Sequence, residues 1–156
     1  YDLNLEEILG GELEYLSVID KLQKREEFGD WLLKTAHKMN QAINQERDIT
    51  TRQVIQQAKQ YIMDNYQNPD LSVEMICRHL HMSPAYFSTM FKKETGQAYI
   101  AYLTEIRLNK AVELLNKTDD KTYVIASKVG YQEQNYFSYV FKKKFGVSPT
   151  KFRGAR

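Results

Sequence analysis

The chain has 156 residues, with 22 Lys or Arg against 20 Asp or Glu, so its formal net charge is only +2. Apolar residues make up 42% of the sequence, which excludes a disordered chain, yet no apolar run approaches the roughly 18 to 20 residues of a membrane span. The single cysteine, Cys77, excludes an internal disulfide and a multi-cysteine zinc site and suits a reducing cytoplasm.

The first third of the chain, residues 1–51, is acidic and helical in pattern. It holds 6 basic and 11 acidic side chains, a balance of −5. The spacing of apolar residues predicts a short helix over about 13–22 and an amphipathic helix over about 27–46. The polar stretch 46–51 is aperiodic and offers Thr51 as the N-cap of the next helix, so we place a domain boundary there.

Two interpretations of this acidic segment stay open. In the first it is a helical linker, acidic because it faces water. In the second it is a dimerisation or signal-relay segment that forms a homodimer through an apolar stripe on the 27–46 helix. The stripe consists of Trp31, Leu32, Met39 and Ile43.

Residues 52–156 are basic, with 16 Lys or Arg against 9 Asp or Glu, a balance of +7. This asymmetry between the two parts of the chain indicates an anionic partner for the basic part. The first helix here should end by Asn68, because Pro69 disfavours a helical residue before it. The further predicted helices are 73–81, 84–95 with Ser83 as N-cap, 98–117, 123–129 capped by Asp119-Asp120, and 134–145, followed by a last short turn at Ser148-Pro149.

One motif occurs twice in the basic part. Tyr86-Phe87-Ser88-x-x-Phe91-Lys92-Lys93-x-x-Gly96 recurs, 50 residues later, as Tyr136-Phe137-Ser138-x-x-Phe141-Lys142-Lys143-x-x-Gly146. Each copy follows a short helix and a tight turn, which is the helix-turn-helix pattern. We therefore predict one helix-turn-helix at about 73–95 and a second at about 123–145, joined by a long connecting helix.

The second helix of each copy has the two faces of a DNA recognition helix. Its aromatic residues fall on one face and are predicted to pack, whereas polar residues and lysines fall on another. Polar side chains near the start of a recognition helix reach base edges, and lysines farther along meet phosphates. The base-contacting candidates are Ala85, Ser88, Thr89, Gln134, Asn135, Ser138 and Tyr139. The phosphate-contacting candidates are Lys92, Lys93, Lys142 and Lys143. Gln134 and Asn135 are the best base readers, because Gln and Asn can pair bidentately with adenine.

The connecting helix adds a geometric argument. Twenty residues of α-helix span about 30 Å, which is close to one turn of B-DNA at about 34 Å. A stiff helix of that length would let one polypeptide place two recognition helices in successive major grooves.

Residues 54–156 resemble the DNA-binding domain of the AraC/XylS family of bacterial transcription regulators. The shared pattern is Ile125-Ala126-x-x-Val129-Gly130-Tyr131, then Tyr136-Phe137-x-x-x-Phe141-Lys142-Lys143-x-Phe145-Gly146-x-Ser148-Pro149-x-x-Phe152-Arg153, with Arg107-Leu108-x-x-Ala111-x-x-Leu114-Leu115 upstream. The resemblance implies an all-α fold of seven helices with two helix-turn-helix subdomains that bind double-stranded DNA at promoters. It implies a cytoplasmic transcriptional activator that contacts RNA polymerase. Members of this family commonly join the DNA-binding domain to a sensing, ligand-binding or receiver domain. Because none of these fits in 51 helical residues, and Tyr1 is not an initiator methionine, we expect such a domain upstream.

Other functions find less support in the sequence. We expect no enzyme and no cofactor, because no phosphate-cradling Gly loop and no Ser/His/Asp or Cys/His constellation assembles. Cys77, His79 and His81 are interpreted as structural residues, since only positions 77 and 81 share a helix face and no third metal ligand is evident. Tyr86 and Tyr136 either contact phosphate or pack between the subdomains. The rival function is a helical protein-interaction adaptor in which the repeat only builds a scaffold.

Overall fold

The computed structural model describes residues 25–154, and within that range the chain is all-α, as predicted, with seven helices and no strand. The helices are α1 (Arg25–Asn65), α2 (Val73–His79), α3 (Pro84–Thr95), α4 (Tyr99–Lys117), α5 (Thr122–Lys128), α6 (Gln134–Phe145) and α7 (Pro149–Gly154). Contacts within the chain divide it into two units, Tyr1–Gln53 and Val54–Arg156. None of the helices in the described range is both long and apolar enough to span a bilayer.

The predicted break in helical structure at 46–51 is wrong. The helix α1 runs without interruption for 41 residues, from Arg25 to Asn65, so Thr51 lies inside it and caps nothing. Thr and Asp cost at most about 0.7 kcal/mol each in a helix interior, and the sequence has neither Gly nor Pro between Gly29 and Pro69. Without a strong breaker, a polar stretch continues the helix. The predicted short helix over about 13–22 lies outside the described residues.

The first helix-turn-helix is built as the sequence predicts. Ser72 caps α2, since the Met75 amide donates to its hydroxyl at 3.4 Å, and Ser83 caps α3 by accepting from the Tyr86 amide at 3.4 Å. Pro84 occupies the first turn of α3. Gly96 ends the helix in the left-handed conformation, with φ of 78°, and its amide donates to the Lys92 carbonyl. Gly146 ends α6 in the same way, with φ of 80°.

The predicted capping of the third short helix is wrong. Helix α5 begins at Thr122, its N-cap is Lys121, and no side chain caps it. Because the helix begins two residues beyond Asp120, that carboxylate is free to reach the last turn of α5, where it pairs with Lys128 Nζ at 2.6 Å. The pair lowers the pKa of the Asp120 carboxyl.

The carboxy-terminal unit contains two separate apolar cores that share α4. The first subdomain is built around a core that includes Ile62, Phe87 and Phe91 and extends along α4 as far as Ile106. The second subdomain is built around Phe137, Phe141 and other apolar residues, and its core begins on α4 at Leu108. The connecting helix therefore passes from one core to the other at a single residue, Arg107.

The two turns between the paired helices share a backbone conformation but not a residue type. His81 in the first turn has φ of 54°, and Gly130 in the second has φ of 86°. A Cβ at Gly130 would lie 2.5 Å from the Tyr66 carbonyl oxygen and 2.9 Å from two guanidinium nitrogens of Arg107. A left-handed residue with a side chain is thus present at His81, whereas at Gly130 close packing adds to the backbone conformation as a reason for glycine.

We expect His81→Gly to raise the free energy of unfolding by about 0.5 to 1 kcal/mol. The left-handed conformation costs a β-carbon-bearing residue about 1 to 2 kcal/mol, and the greater freedom of glycine in the unfolded chain offsets part of that gain. The His81 side chain is exposed, so little packing is lost. Urea denaturation followed by circular dichroism measures the effect. His79→Gly is the matched control and should destabilise the protein, because His79 is helical and stacks on Tyr61 at 4.4 Å. A loss of stability in the His81 variant would contradict the strain argument.

Candidate nucleic-acid interface

Helix α3 exposes the polar face predicted for a recognition helix. Its aromatic side chains, Phe87 and Phe91, are fully buried in the core of the first subdomain. The base-contacting candidates Ala85, Ser88 and Thr89 are all exposed. The Thr89 hydroxyl donates to the Ala85 carbonyl at 3.0 Å, so its oxygen lone pairs face outward as acceptors.

Helix α6 repeats this arrangement with larger side chains. Phe137 and Phe141 are fully buried, while Gln134, Asn135 and Tyr139 are exposed. Ser138 is only half-buried and is less accessible than Ser88, its counterpart in the first copy. The exposed polar face of α6 therefore consists mainly of the side-chain amides of Gln134 and Asn135 and the ring of Tyr139.

The four lysines predicted to contact phosphate are exposed. Lys92, Lys93, Lys142 and Lys143 form no ion pair with any residue in the range 25–154. The neighbouring Lys144 behaves differently, since its Nζ lies 3.0 Å from Glu105 Oε1 on the connecting helix. That bond lowers the pKa of the Glu105 carboxyl, with Gln97 as a second donor to it. Two lysines in each copy thus remain available to an anion.

The tyrosines that open the repeated motif lie at the surface. Tyr86 and Tyr136 are each 60% exposed. The Tyr136 ring lies 6.1 Å from that of Tyr131, and it lines a small cleft together with Arg107 and Gly130. Tyr136 therefore contacts the junction between the subdomains, whereas Tyr86 lies on the exposed surface of α3.

The residues with metal-binding side chains in the first helix-turn-helix are placed for packing. Cys77 is buried in the core of the first subdomain, and burial raises the pKa of its thiol. His79 stacks on Tyr61, and His81 occupies the strained turn. No cluster of three potential ligands occurs in the part of the chain that the structure describes.

The self-association candidates lie on α1 within the amino-terminal unit. Leu32 is 47% exposed, whereas Trp31, Met39 and Ile43 are half-buried. Phe28 stacks beside Trp31, with ring centroids 6.0 Å apart. The stripe is therefore contiguous with a further exposed aromatic residue at its start.

Sequence reasoning missed the importance of Arg107 and Gly130. Arg107 is 8% exposed, and its guanidinium donates from Nε to the Tyr66 carbonyl at 2.8 Å and from Nη2 to the Asn68 carbonyl at 2.7 Å. One feature of the sequence could have indicated the role of Arg107. It is the one charged residue in a row of otherwise apolar, buried residues that follow one another at intervals of four on one face of α4. That row consists of Leu103, Arg107, Ala111 and Leu115.

Comparison with known proteins adds the family context. A family model described as a helix-turn-helix domain matches residues 76–155. The arabinose operon regulatory protein of Escherichia coli (strain K12) is 30% identical over 122 residues, which cover 78% of this chain and 40% of that protein. The HTH-type transcriptional activator RhaR of Pectobacterium carotovorum subsp. carotovorum (strain PC1) is 40% identical over 80 residues, or 51% of this chain and 28% of that protein. The chain thus spans less than half the length of these curated relatives.

Solved structures match over the same part of the chain. The C-terminal domain of AraT, a response regulator from Geobacillus stearothermophilus, superposes with a TM-score of 0.65 and 44% sequence identity. The match covers 66% of this chain and 85% of that domain. The fold of the carboxy-terminal unit is therefore shared with a domain at the end of a longer protein.

Proposed function

The chain belongs to the AraC/XylS family of helix-turn-helix proteins, and on this premise we propose that it binds double-stranded DNA sequence-specifically and regulates transcription in the cytoplasm. The observation that carries the proposal is the repeated recognition face: α3 and α6 each expose small or polar side chains and two lysines over a buried aromatic face. The adaptor alternative is not favoured, since a scaffold does not need this face twice.

The proposed mechanism uses both recognition helices of one chain. Helices α3 and α6 enter adjacent major grooves, where Ala85, Ser88 and Thr89 meet the first set of bases and Gln134, Asn135, Ser138 and Tyr139 meet the second. The 19 residues of α4 span about 28 Å, close to the separation of successive major grooves on one DNA face, about 34 Å. The lysines of both helices supply attraction to phosphate that weakens with salt.

We further propose that the protein activates transcription through contact with RNA polymerase. The names of two relatives, an operon regulatory protein and a transcriptional activator, support a regulatory outcome. A reporter gene placed behind the selected operator tests the direction of regulation, and repression would overturn the activator assignment.

We expect Asn135→Ala to relax base preference at one or two operator positions and to weaken binding to the preferred site by about 1 to 3 kcal/mol. The reason is the loss of a bidentate amide contact. Lys142→Ala should weaken all sequences alike and lower the salt slope by about 1. The measurement is fluorescence anisotropy with a duplex selected by the wild-type protein from a random pool, and with single-base variants of it.

Asn109→Ala is the matched control for the base-reading test, since Asn109 is an exposed amide on the connecting helix. It should change neither base preference nor salt slope. If Asn135→Ala and Lys142→Ala weakened every duplex by the same factor, Asn135 would not be a base reader. If the wild-type protein selected no sequence from the pool, the proposed function itself would be wrong.

We also propose that the amino-terminal unit self-associates through Trp31, Leu32, Met39 and Ile43. Sedimentation at high protein concentration should then give a dimer for the wild type and a monomer for Trp31→Ala or Leu32→Ala, because each change removes apolar contact area. Leu33→Ala is the matched control, since Leu33 is 63% exposed but lies outside the stripe. A wild-type monomer would favour the simple linker.

A further inference from the structure

The junction between the two subdomains is built around a buried charge. Arg107 separates the last α4 residue of the first core, Ile106, from the first of the second core, Leu108. Burying an unpaired charge costs several kcal/mol. A guanidinium at this position is therefore stable only if its partners are held in place.

The partners of Arg107 come from the end of the first long helix. The Tyr66 carbonyl is the first beyond the end of α1 at Asn65, where the helix dipole is negative, and the Asn68 carbonyl lies in the loop that follows, where it also accepts from the Leu71 amide at 3.2 Å. The guanidinium donates a short hydrogen bond to each of these two carbonyls. It thereby ties α4 to the end of α1 in the first subdomain.

The other side of the same guanidinium faces the second subdomain. Its carbon lies 5.4 Å from the centre of the Tyr131 ring, a cation–π distance, and Gly130 packs against Nε and Nη2. Both residues belong to the turn between α5 and α6. Among the helix pairs with extensive packing, none joins a helix of the first helix-turn-helix to a helix of the second. Each such pair lies within one subdomain or includes α4. Tyr66 also packs against both cores. Arg107 thus contacts both subdomains at the residue where the connecting helix passes from one core to the other.

We infer that Arg107 is a positioning residue that holds the second recognition helix at a set rotation about α4 relative to the first. A second link supports the same function, since Glu105 accepts from Gln97 after α3 and pairs with Lys144 on α6. The effect of this positioning on DNA recognition rests on the proposed function. Each added base pair rotates a half-site by about 34° along B-DNA, so a rigid pair of helices discriminates between spacings and a loosely joined pair does not.

The positioning can be measured without DNA. Spin labels on Lys93→Cys and Lys143→Cys, in a Cys77→Ala background, report the distance distribution between α3 and α6 by pulsed electron resonance. Ala126 occupies the position equivalent to Cys77 in the second copy, which makes alanine a suitable replacement. We expect one narrow distribution for the otherwise wild-type protein and a distribution about twice as wide for Arg107→Met, because the hydrogen bonds and the stacking are lost. Arg107→Lys, which keeps the charge and can make one of the bonds, should fall between them.

Arg153 offers a matched control. Its Nε donates to the Leu115 carbonyl at 3.4 Å, so it is also an arginine bound to a carbonyl of α4, but both residues lie in the second subdomain. Arg153→Met should leave the distance distribution unchanged. If Arg107→Met does not fold, the comparison between Arg107→Lys and Arg153→Lys decides.

The consequence for recognition is tested on unlabelled protein with the selected duplex and with duplexes in which one base pair is inserted between the two contacted half-sites. We expect the insertion to weaken wild-type binding by about 30-fold and binding by Arg107→Met by less than about 5-fold. Mere destabilisation would lower the active fraction equally for both duplexes and leave that ratio unchanged. The positioning role would be overturned if both Arg107 variants gave the same distance distribution as the wild type. It would also be overturned if a variant with a wider distribution still lost as much affinity on the one-base-pair insertion as the wild type does. Failure of the wild type to select any duplex would overturn the proposed function, while the distance measurement still decides the role of Arg107.

Discussion

Gly130→Ala is expected to lower the free energy of unfolding by about 3 to 5 kcal/mol, because it displaces a buried charge from its partners. The new Cβ would lie 2.5 Å from the Tyr66 oxygen and 2.9 Å from Arg107, distances that the structure cannot accommodate without moving one of them. Moving either breaks the hydrogen bond between Arg107 Nε and the Tyr66 carbonyl. Domains of this size are stable by only about 5 to 15 kcal/mol, so the loss is a large share of the total.

Gly146→Ala is the matched control for this prediction. Gly146 has nearly the same backbone conformation, with φ of 80° against 86°, but a Cβ there would have no packing neighbour within 4 Å among the residues that the structure describes. The control should therefore lose only about 1 kcal/mol, the cost of a left-handed conformation. Urea denaturation of both variants gives the two values. Equal losses would mean that backbone conformation alone requires glycine at 130 and that its contact with Arg107 is unimportant.

Replacing Lys92, Lys93, Lys142 and Lys143 together by alanine is expected to abolish most of the electrostatic affinity for DNA. Four lost phosphate contacts reduce the magnitude of the slope of log affinity against log salt by about 3.6. Relative to 1 M salt, this corresponds to a loss of between about three and four orders of magnitude in affinity at 0.1 M salt. These lysines are exposed and form no ion pair within residues 25–154, so the fold should be unaffected. Anisotropy titrations at several salt concentrations measure the slope, and thermal unfolding checks the fold.

A second four-lysine variant controls for net charge. Like the first variant, it removes four positive charges, but from the connecting helix and from α5 and its N-cap. The replaced residues are Lys110, Lys117, Lys121 and Lys128, each changed to alanine. Two of these lysines form surface ion pairs, with Glu113 and Asp120, and such pairs are worth little to stability. We expect a much smaller change of slope for this variant. Equal changes in the two variants would indicate a diffuse charge effect and would contradict a specific role of α3 and α6.

Local sequence patterns were sufficient for most of the helices. Ser83 before Pro84 predicts the start of α3, and Gly96 and Gly146 predict the ends of α3 and α6, because capping and the left-handed conformation depend only on neighbouring residues. The two wrong boundary predictions, at Thr51 and at Asp119-Asp120, concern polar residues. Such residues can cap a helix, but they can also lie within a helix or form an ion pair. For Asp120 the outcome depends on Lys128, which is eight residues away in the sequence.

The recognition faces were predictable for a different reason. The motif occurs twice with the same polar and aromatic positions, so burial of Phe87, Phe91, Phe137 and Phe141 follows from helical periodicity alone. Periodicity does not distinguish a free lysine from a paired one. Lys144 follows Lys143 directly, yet only the structure identifies Glu105, 39 residues away, as its partner.

The all-α class, the two helix-turn-helix motifs and the polar faces of α3 and α6 follow from sequence patterns, because each depends on residues a few positions apart. The way in which the subdomains are joined depends instead on contacts between residues far apart in the chain, which no local pattern predicts. Arg107 meets Tyr66 and Asn68 across 41 and 39 residues of sequence, and a Cβ at Gly130 would lie 2.5 Å from the Tyr66 carbonyl oxygen and 2.9 Å from the Arg107 guanidinium. In the first turn, His81 carries a side chain in a left-handed conformation, with φ of 54°.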